Sequence, residues 1–207
     1  MIFGGFQSVS LSDFPGRPAA ILFAQGCNYR CPFCHNARLL PLQSDGCFDD
    51  DTAMALLQRQ HKLIDGVVFS GGEPTLQPDI VDVIRRVRNE LSLPVKLDTN
   101  GSHPEVLRTL LDAGLLDYIA MDVKAPWDCY PRLTGTPDCR VADVRESVRL
   151  IAASGVRYEF RTTVVPGLLT PEDVERIQAG LPDRAVYKTQ AFIAEHALNP
   201  KAAFERK

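Results

Sequence analysis

The chain has 207 residues, 45% hydrophobic and 24% charged, enough apolar material for one ordinary globular domain with a sizeable core. A net charge of −3 without a long basic run gives no electrostatic reason to expect nucleic acid as a partner. No apolar run reaches the length of a membrane span, and the start, MIFGGFQSVSLSDFPG, lacks the basic region and apolar core of a signal peptide, so a cytoplasmic protein without a membrane partner is expected.

Residues 1–18 read as a small strand or hairpin followed by a turn at Pro15 and Gly16, a candidate for shaping the mouth of a site. The first main strand, AAILFAQG (19–26), runs into GCNYRCPFCHN (26–36). A helix over 51–62 follows, with Asp50 or Asp51 as its N-cap, then the strand GVVFSGG (66–72), which opens into SGGEPTLQ. Further on come a helix over 79–91, the strand VKLDTNG (95–101), a helix over 104–113, and the strand YIAMDVK (118–124). The last units are a helix over 141–154, the strand YEFRTTVV (158–165), a helix over 171–179 and the strand AVYKTQA (185–191), leaving a tail over 192–207. Pro104 and Pro171 sit in first helical turns, and Gly114, Gly155 and Gly180 lie just past helix ends.

Apolar strands alternating with helices at intervals of roughly 25 residues build a parallel sheet. About six βα units predict a partial, open TIM-like barrel of α/β class over 19–191; a flat doubly wound sheet is the alternative. In either, sites gather where the parallel strands end, and the unusual residues of this chain follow the strand ends. Alternate strand residues share a face, which groups Lys96, Asp98 and Asn100; Asp122 and Lys124; Glu159, Arg161 and Thr163; and Lys188 and Gln190. The opposite parity carries Leu97, Ile119, Met121, Val123, Phe160 and Val164, so helices should cover that side. The charges on the inner side must pair or meet a charged ligand, because burying them alone costs several kcal/mol each.

Six cysteines in a reducing compartment do not read as a disulfide framework, and a clustered set there points to metal binding or catalysis. Cys27, Cys31 and Cys34 form such a set, whereas Cys47, Cys129 and Cys139 are scattered. A structural zinc site or a self-sufficient cubane cluster takes four protein ligands, so three thiols leave a vertex open, unless His35 completes a zinc site. Pro32 marks the segment as a loop rather than an uninterrupted helix. Gly71 and Gly72 allow a ligand close to the backbone, and Glu73 can accept hydrogen bonds from an ammonium group.

Cys27-x3-Cys31-x2-Cys34 with Phe33 before the last cysteine resembles the cluster loop of radical S-adenosylmethionine enzymes, and SGGEPTLQ resembles that family's GGEP motif. With LDTNG, MDVK and RTTVVPG, the match over about 6–167 is similar to the activating enzymes of glycyl radical enzymes, particularly those assigned to anaerobic ribonucleotide reductase and to pyruvate formate-lyase. The resemblance implies a single radical SAM domain over 1–207. It implies one [4Fe-4S] cluster on Cys27, Cys31 and Cys34, with S-adenosylmethionine chelating the fourth iron. Cofactor contacts would then come from Phe33 near the adenine, from Gly71, Gly72 and Glu73 near the amino group, and from Asn100, Lys124 and Arg161. Asp98, Thr99 and Asp122 would gather a monovalent cation beside the cofactor carboxylate, Asp98 thereby serving the cofactor as well. The pyruvate formate-lyase activator type carries a histidine near the sixth strand; Gln190, Ala191 and Phe192 occupy that region here.

The implied oxidoreductase chemistry is anaerobic. A flavodoxin or ferredoxin-type donor supplies an electron, S-adenosylmethionine is cleaved reductively to a 5′-deoxyadenosyl radical, and that radical makes a glycyl radical on a partner enzyme. Two other functions stay open at this point: a small-molecule radical enzyme such as 7-carboxy-7-deazaguanine synthase, and a zinc-stabilised binding protein without catalysis. At residue level, Lys96 with Asp98, Lys124 with Asp122 and Arg161 with Glu159 also read as plain salt bridges, and Phe33 as ordinary core.

Overall fold

Strand β1 (Ile2–Ser10) lies antiparallel to β2 (Ala19–Ala24) in a computed structural model that describes residues 1–198. The two-residue β3 (Phe48–Asp49) pairs with the start of β1. From β2 the sheet grows by parallel addition through β4 (Val67–Gly71), β5 (Val95–Thr99), β6 (Tyr118–Asp122), β7 (Arg157–Val164) and β8 (Tyr187–Ala191). The order is β3-β1-β2-β4-β5-β6-β7-β8. All six strands expected from the apolar runs are present, and two antiparallel strands extend one edge. The sheet does not close: β3 and β8 end it without pairing to each other among the described residues.

The helices are α1 (Asp50–Gln60), α2 (Ile80–Arg86), continued by a wider turn over Val87–Leu91, α3 (Pro104–Asp112), α4 (Tyr130–Thr134), α5 (Val141–Ala153) and α6 (Pro171–Ala179). Their buried residues, among them Leu57, Ile84, Leu107, Leu110, Val148, Ile151 and Ile177, join one core with Phe69, Leu97, Ile119, Met121 and Phe160 from the sheet. All the long helices therefore cover a single face. A doubly wound sheet would need helices on both, so the open TIM-like barrel is the correct alternative. No helix among the described residues is long and apolar enough to cross a membrane.

Local chemistry accounts for the helix boundaries. Asp49, not Asp50 or Asp51, caps α1, its carboxylate accepting the Thr52 N–H at 2.9 Å; Asp50 and Asp51 instead place negative charge in the first turn. Thr170 and Asp173 form a reciprocal capping box at α6, with Pro171 at its first position. Helix α4 was not expected, because a five-residue helix with a proline in its first turn shows no apolar period.

The inner face holds a small apolar plug of Phe14, Ala19, Ile21, Val68, Tyr118 and Ala120. Phe14 lies 6.2 Å from the Tyr118 ring, and a methyl group on Gly66 would approach its ring to 2.9 Å. Since Ser10 pairs with Ala19 at the start of β2, the turn that carries Phe14 plugs the end of the barrel opposite the cysteine loop. The expectation that this turn shapes the mouth is corrected accordingly. Only the start of β1 reaches the other end, where the Ile2 N–H meets Gln77 Oε1 at 3.0 Å. Of the expected 192–207 tail, 199–207 lies outside the described residues.

Candidate active site

The cysteine loop leaves β2 and is tied back by backbone hydrogen bonds from Gly26 N to Leu39 O (2.8 Å) and from Cys27 N to Leu40 O (3.2 Å). Arg30 braces it from outside, its guanidinium donating to the carbonyls of Cys27 and Tyr29 at 2.5 and 2.8 Å. Behind it the Cys139 thiol donates to Tyr29 Oη at 3.3 Å. All six cysteines are free thiols. Burial pushes the Cys27 thiol up to about 11 and the Cys31 thiol up to about 12, so both are protonated at neutral pH until a metal displaces the proton.

Cys27, Cys31 and Cys34 line one cavity of about 190 Å³ together with Tyr29, Phe33, Gly71, Gly72, Asp98, Thr99, Asn100, Asp122, Lys124 and Arg161. Every expected site residue except Glu73 borders it. Gly71 has φ +113, and a Cβ there would lie 2.6 Å from Ala24 N; a Cβ on Gly72 would lie 2.1 Å from Gly26 O. Glycine is thus required where the end of β4 presses against the cysteine loop.

Glu73 is placed differently from the sequence reading. Its side chain is 0% exposed, and its carboxylate accepts from Thr75 N (3.1 Å), Thr99 Oγ1 (2.8 Å), Asn100 N (2.7 Å) and the Thr75 hydroxyl. Bonded to two residues that line the cavity, it fixes the turn that carries Thr99 and Asn100. The Asn100 amide in turn donates to Asn28 Oδ1 at 2.9 Å, joining that turn to the cysteine loop.

Across β5, β6 and β7 the inward charges form one chain. Lys96 pairs with Asp98; Asp98 Oδ2 accepts Ser70 Oγ at 3.1 Å and lies 3.7 Å from Arg161 Nη2. Asp122 takes Arg161 on one oxygen at 3.0 Å and Lys124 on the other at 3.4 Å. Burial works to raise the Asp122 carboxyl, but Arg161 and Lys124 outweigh it and hold it below the usual range. Burial likewise opposes the Lys124 and Arg161 cations, and the carboxylates, Asp122 foremost, more than compensate. The Arg161 to Glu159 pair considered from sequence is not the one formed: Glu159 bonds Lys188 at 2.6 Å and Tyr118 Oη at 3.0 Å.

The donor set suits an iron-sulfur cluster. Among the described residues no three His, Cys, Asp or Glu side chains converge on a single ion, whereas a cubane asks each thiolate to take its own iron. His35 Nε2 accepts the Ile193 N–H at 3.3 Å, and its ring stacks on Phe192 at 5.6 Å. That ring nitrogen is engaged by the chain, although His35 itself borders the same cavity as the thiols.

A sequence profile of the radical SAM superfamily matches residues 21–179. The chain belongs to the radical SAM superfamily. It is an oxidoreductase of that type, and membership brings a [4Fe-4S] cluster and S-adenosylmethionine as the family's cofactors. A Methanocaldococcus jannaschii protein, named provisionally as a glycyl-radical enzyme activating enzyme, is 35% identical over 207 residues, covering 97% of this chain and 81% of that one. The pyruvate formate-lyase-activating enzyme of Clostridium pasteurianum is 29% identical over 171 residues, 78% of this chain and 68% of its own. In fold, the chain resembles Streptococcus suis SuiB bound to S-adenosylmethionine, with a TM-score of 0.64 at 14% identity, over 84% of this chain. It spans only 42% of SuiB's length.

Several residues of the radical SAM cavity had no assigned role in the sequence reading: Tyr29, Asn36, Ser70, Thr163 and Gln190. Strand parity was the available signal for Ser70, which stands two residues before Gly72 and on the same face as Val68. Tyr29 and Asn36 lie in irregular loop, where no period exists to read. Asn36 closes the loop on the second motif, its amide donating to Gly71 O at 3.3 Å.

Proposed function

We propose that the chain holds one [4Fe-4S] cluster on Cys27, Cys31 and Cys34 and makes a glycyl radical on a partner enzyme of the anaerobic ribonucleotide reductase class. The observation that carries this is the convergence of three free thiols, the Gly71 and Gly72 backbone and the Lys124 and Arg161 cations on one cavity at the C-terminal ends of parallel strands. When bound, the cluster and S-adenosylmethionine supply one-electron cleavage of a sulfonium and a carbon radical able to remove hydrogen from a substrate.

The chain supplies position and charge. Lys124 and Arg161 offer the cofactor carboxylate charge-assisted hydrogen bonds, and Gly71 and Gly72 keep backbone within reach of its amino group. Phe33, 5% exposed, gives the adenine an apolar wall. Glu73 acts through the turn it anchors, presenting Asn100. The plug at Phe14 and Tyr118 keeps water out from below. Among the described residues β8 and β3 do not pair, an unclosed side of the barrel by which a glycine-bearing loop of a large partner enters. Similarity over 97% of the chain to a relative named for glycyl radical activation supports the choice of a protein substrate. An electron donor of the flavodoxin or ferredoxin kind completes the reaction.

The test is anaerobic reconstitution with candidate partners, followed by electron paramagnetic resonance. A glycyl radical signal in the partner, formed with one deoxyadenosine per radical, is expected. Cleavage of S-adenosylmethionine beside partners that all stay silent would shift the reading to a small-molecule substrate.

A further inference from the structure

We propose that Lys96 is a built-in counter-ion of the cavity, a positioning residue whose ammonium makes a bound alkali cation beside Asp98, Thr99 and Asp122 unnecessary. Lys96 lies in the middle of β5 with its side chain 2% exposed, and it shares the inner face with Asp98 two residues on, so its ammonium donates directly to Asp98 Oδ1. Every oxygen an alkali ion would need is engaged. Asp98 Oδ2 accepts from Ser70 and faces Arg161; the two oxygens of Asp122 take Arg161 and Lys124. The Thr99 hydroxyl donates to Glu73 at 2.8 Å and accepts the Gly101 N–H at 3.1 Å. Three cations, Lys96, Lys124 and Arg161, stand against three carboxylates, Asp98, Asp122 and the Glu73 group bonded to Thr99, so the set is balanced without a bound cation. An added cation would gain no net attraction and would have to displace existing ion pairs. With Lys96 satisfying Asp98, Arg161 and Lys124 remain able to meet a carboxylate ligand.

Loss of the Lys96 ammonium leaves one carboxylate in excess. Asp98 would be left with Ser70 and the more distant Arg161, three carboxylates would share the two remaining cations, and an alkali ion would gain a site of hard oxygen ligands. The experiment uses the full chain prepared anaerobically, as wild type and as Lys96→Met, in sodium, potassium and choline chloride at equal ionic strength. Wild type is expected to melt at the same temperature in all three salts, and Lys96→Met to melt several degrees higher in sodium or potassium than in choline. A selective sodium or potassium gain in wild type, or none in Lys96→Met, overturns the proposal. Should Lys96→Met not fold in any salt, Lys96→Gln is read by the same rule.

A second readout rests on the S-adenosylmethionine site proposed above. Affinity in the variant should fall about tenfold in choline, the scale of one charge-assisted hydrogen bond, and recover with the alkali ion, while wild type is indifferent to the salt. Wild type that binds no S-adenosylmethionine in any salt would defeat the functional reading, while the melting series still decides the role of Lys96.

Discussion

Leu97, Ile119, Met121 and Phe160 lie on one face of β5, β6 and β7, all 0% exposed beneath the helices; Lys96, Asp98, Asp122, Glu159 and Arg161 lie on the other, bound into ion pairs. The two faces are one residue out of phase on the same strands, yet they answer to different physics. The outer face is held by area removed from water and close packing, which is non-directional and tolerant of which apolar residue fills it. The inner face is held by directed charge pairs whose worth depends on a partner being present at one distance and angle. Fold and site can therefore be perturbed separately.

The sharpest separation comes from the cysteine loop. Cys34→Ala should abolish S-adenosylmethionine cleavage, measured as deoxyadenosine formed under anaerobic reduction, and lower bound iron, while the metal-free chain melts near wild type. A collapse of that melting temperature would show that loop and core are not independent. Leu97→Ala should do the reverse. It should cost about 2–5 kcal/mol in urea unfolding, the range for a buried leucine, and leave S-adenosylmethionine affinity of the folded fraction unchanged.

Asp122→Asn sharpens the comparison through pH. Arg161 and Lys124 hold the native carboxyl below its ordinary value against the effect of burial, so the unfolded chain binds its proton more readily. The contribution of Asp122 is therefore present above the unfolded value of about 3.9 and lost as pH falls through the lower folded value. The gap between the urea midpoints of wild type and Asp122→Asn should be widest above about pH 5 and should narrow below about pH 4. Smallest of all is Asp128→Ala. Asp128 meets Arg176 at 2.8 Å on an exposed surface, where solvent and salt screen the pair, and no resolvable change in melting temperature is expected at physiological salt.

Much of this architecture was legible along the chain. The six parallel strands follow from apolar runs of strand length, and α6 was read to its observed bounds because Pro171 and Gly180 mark its ends. The cysteine spacing and the glycines at 71 and 72 pointed to one cavity before any coordinates. What escaped notice was short or non-local. The β3 strand has two residues and exists only because β1 lies beside it. Glu73 was expected to face a ligand, but the turn from β4 into Pro74 aims its carboxylate at Thr99 and Asn100, and no pattern within a single segment encodes that direction.

By itself, the sequence determined which residues share a strand face and which loops end in reactive side chains, because both follow from backbone periodicity over a few residues. The pairs within a strand, Lys96 with Asp98 and Lys124 with Asp122, were legible too, but only the tertiary structure decided which charges meet between strands. Asp122 stands in register with Arg161, and Asp98 with Ala120, and Arg161 reaches across β6 to lie 3.7 Å from Asp98. Ion-pair energy varies with ångström separations between strands far apart in the chain, and those separations are set by sheet register and curvature rather than by spacing along the sequence.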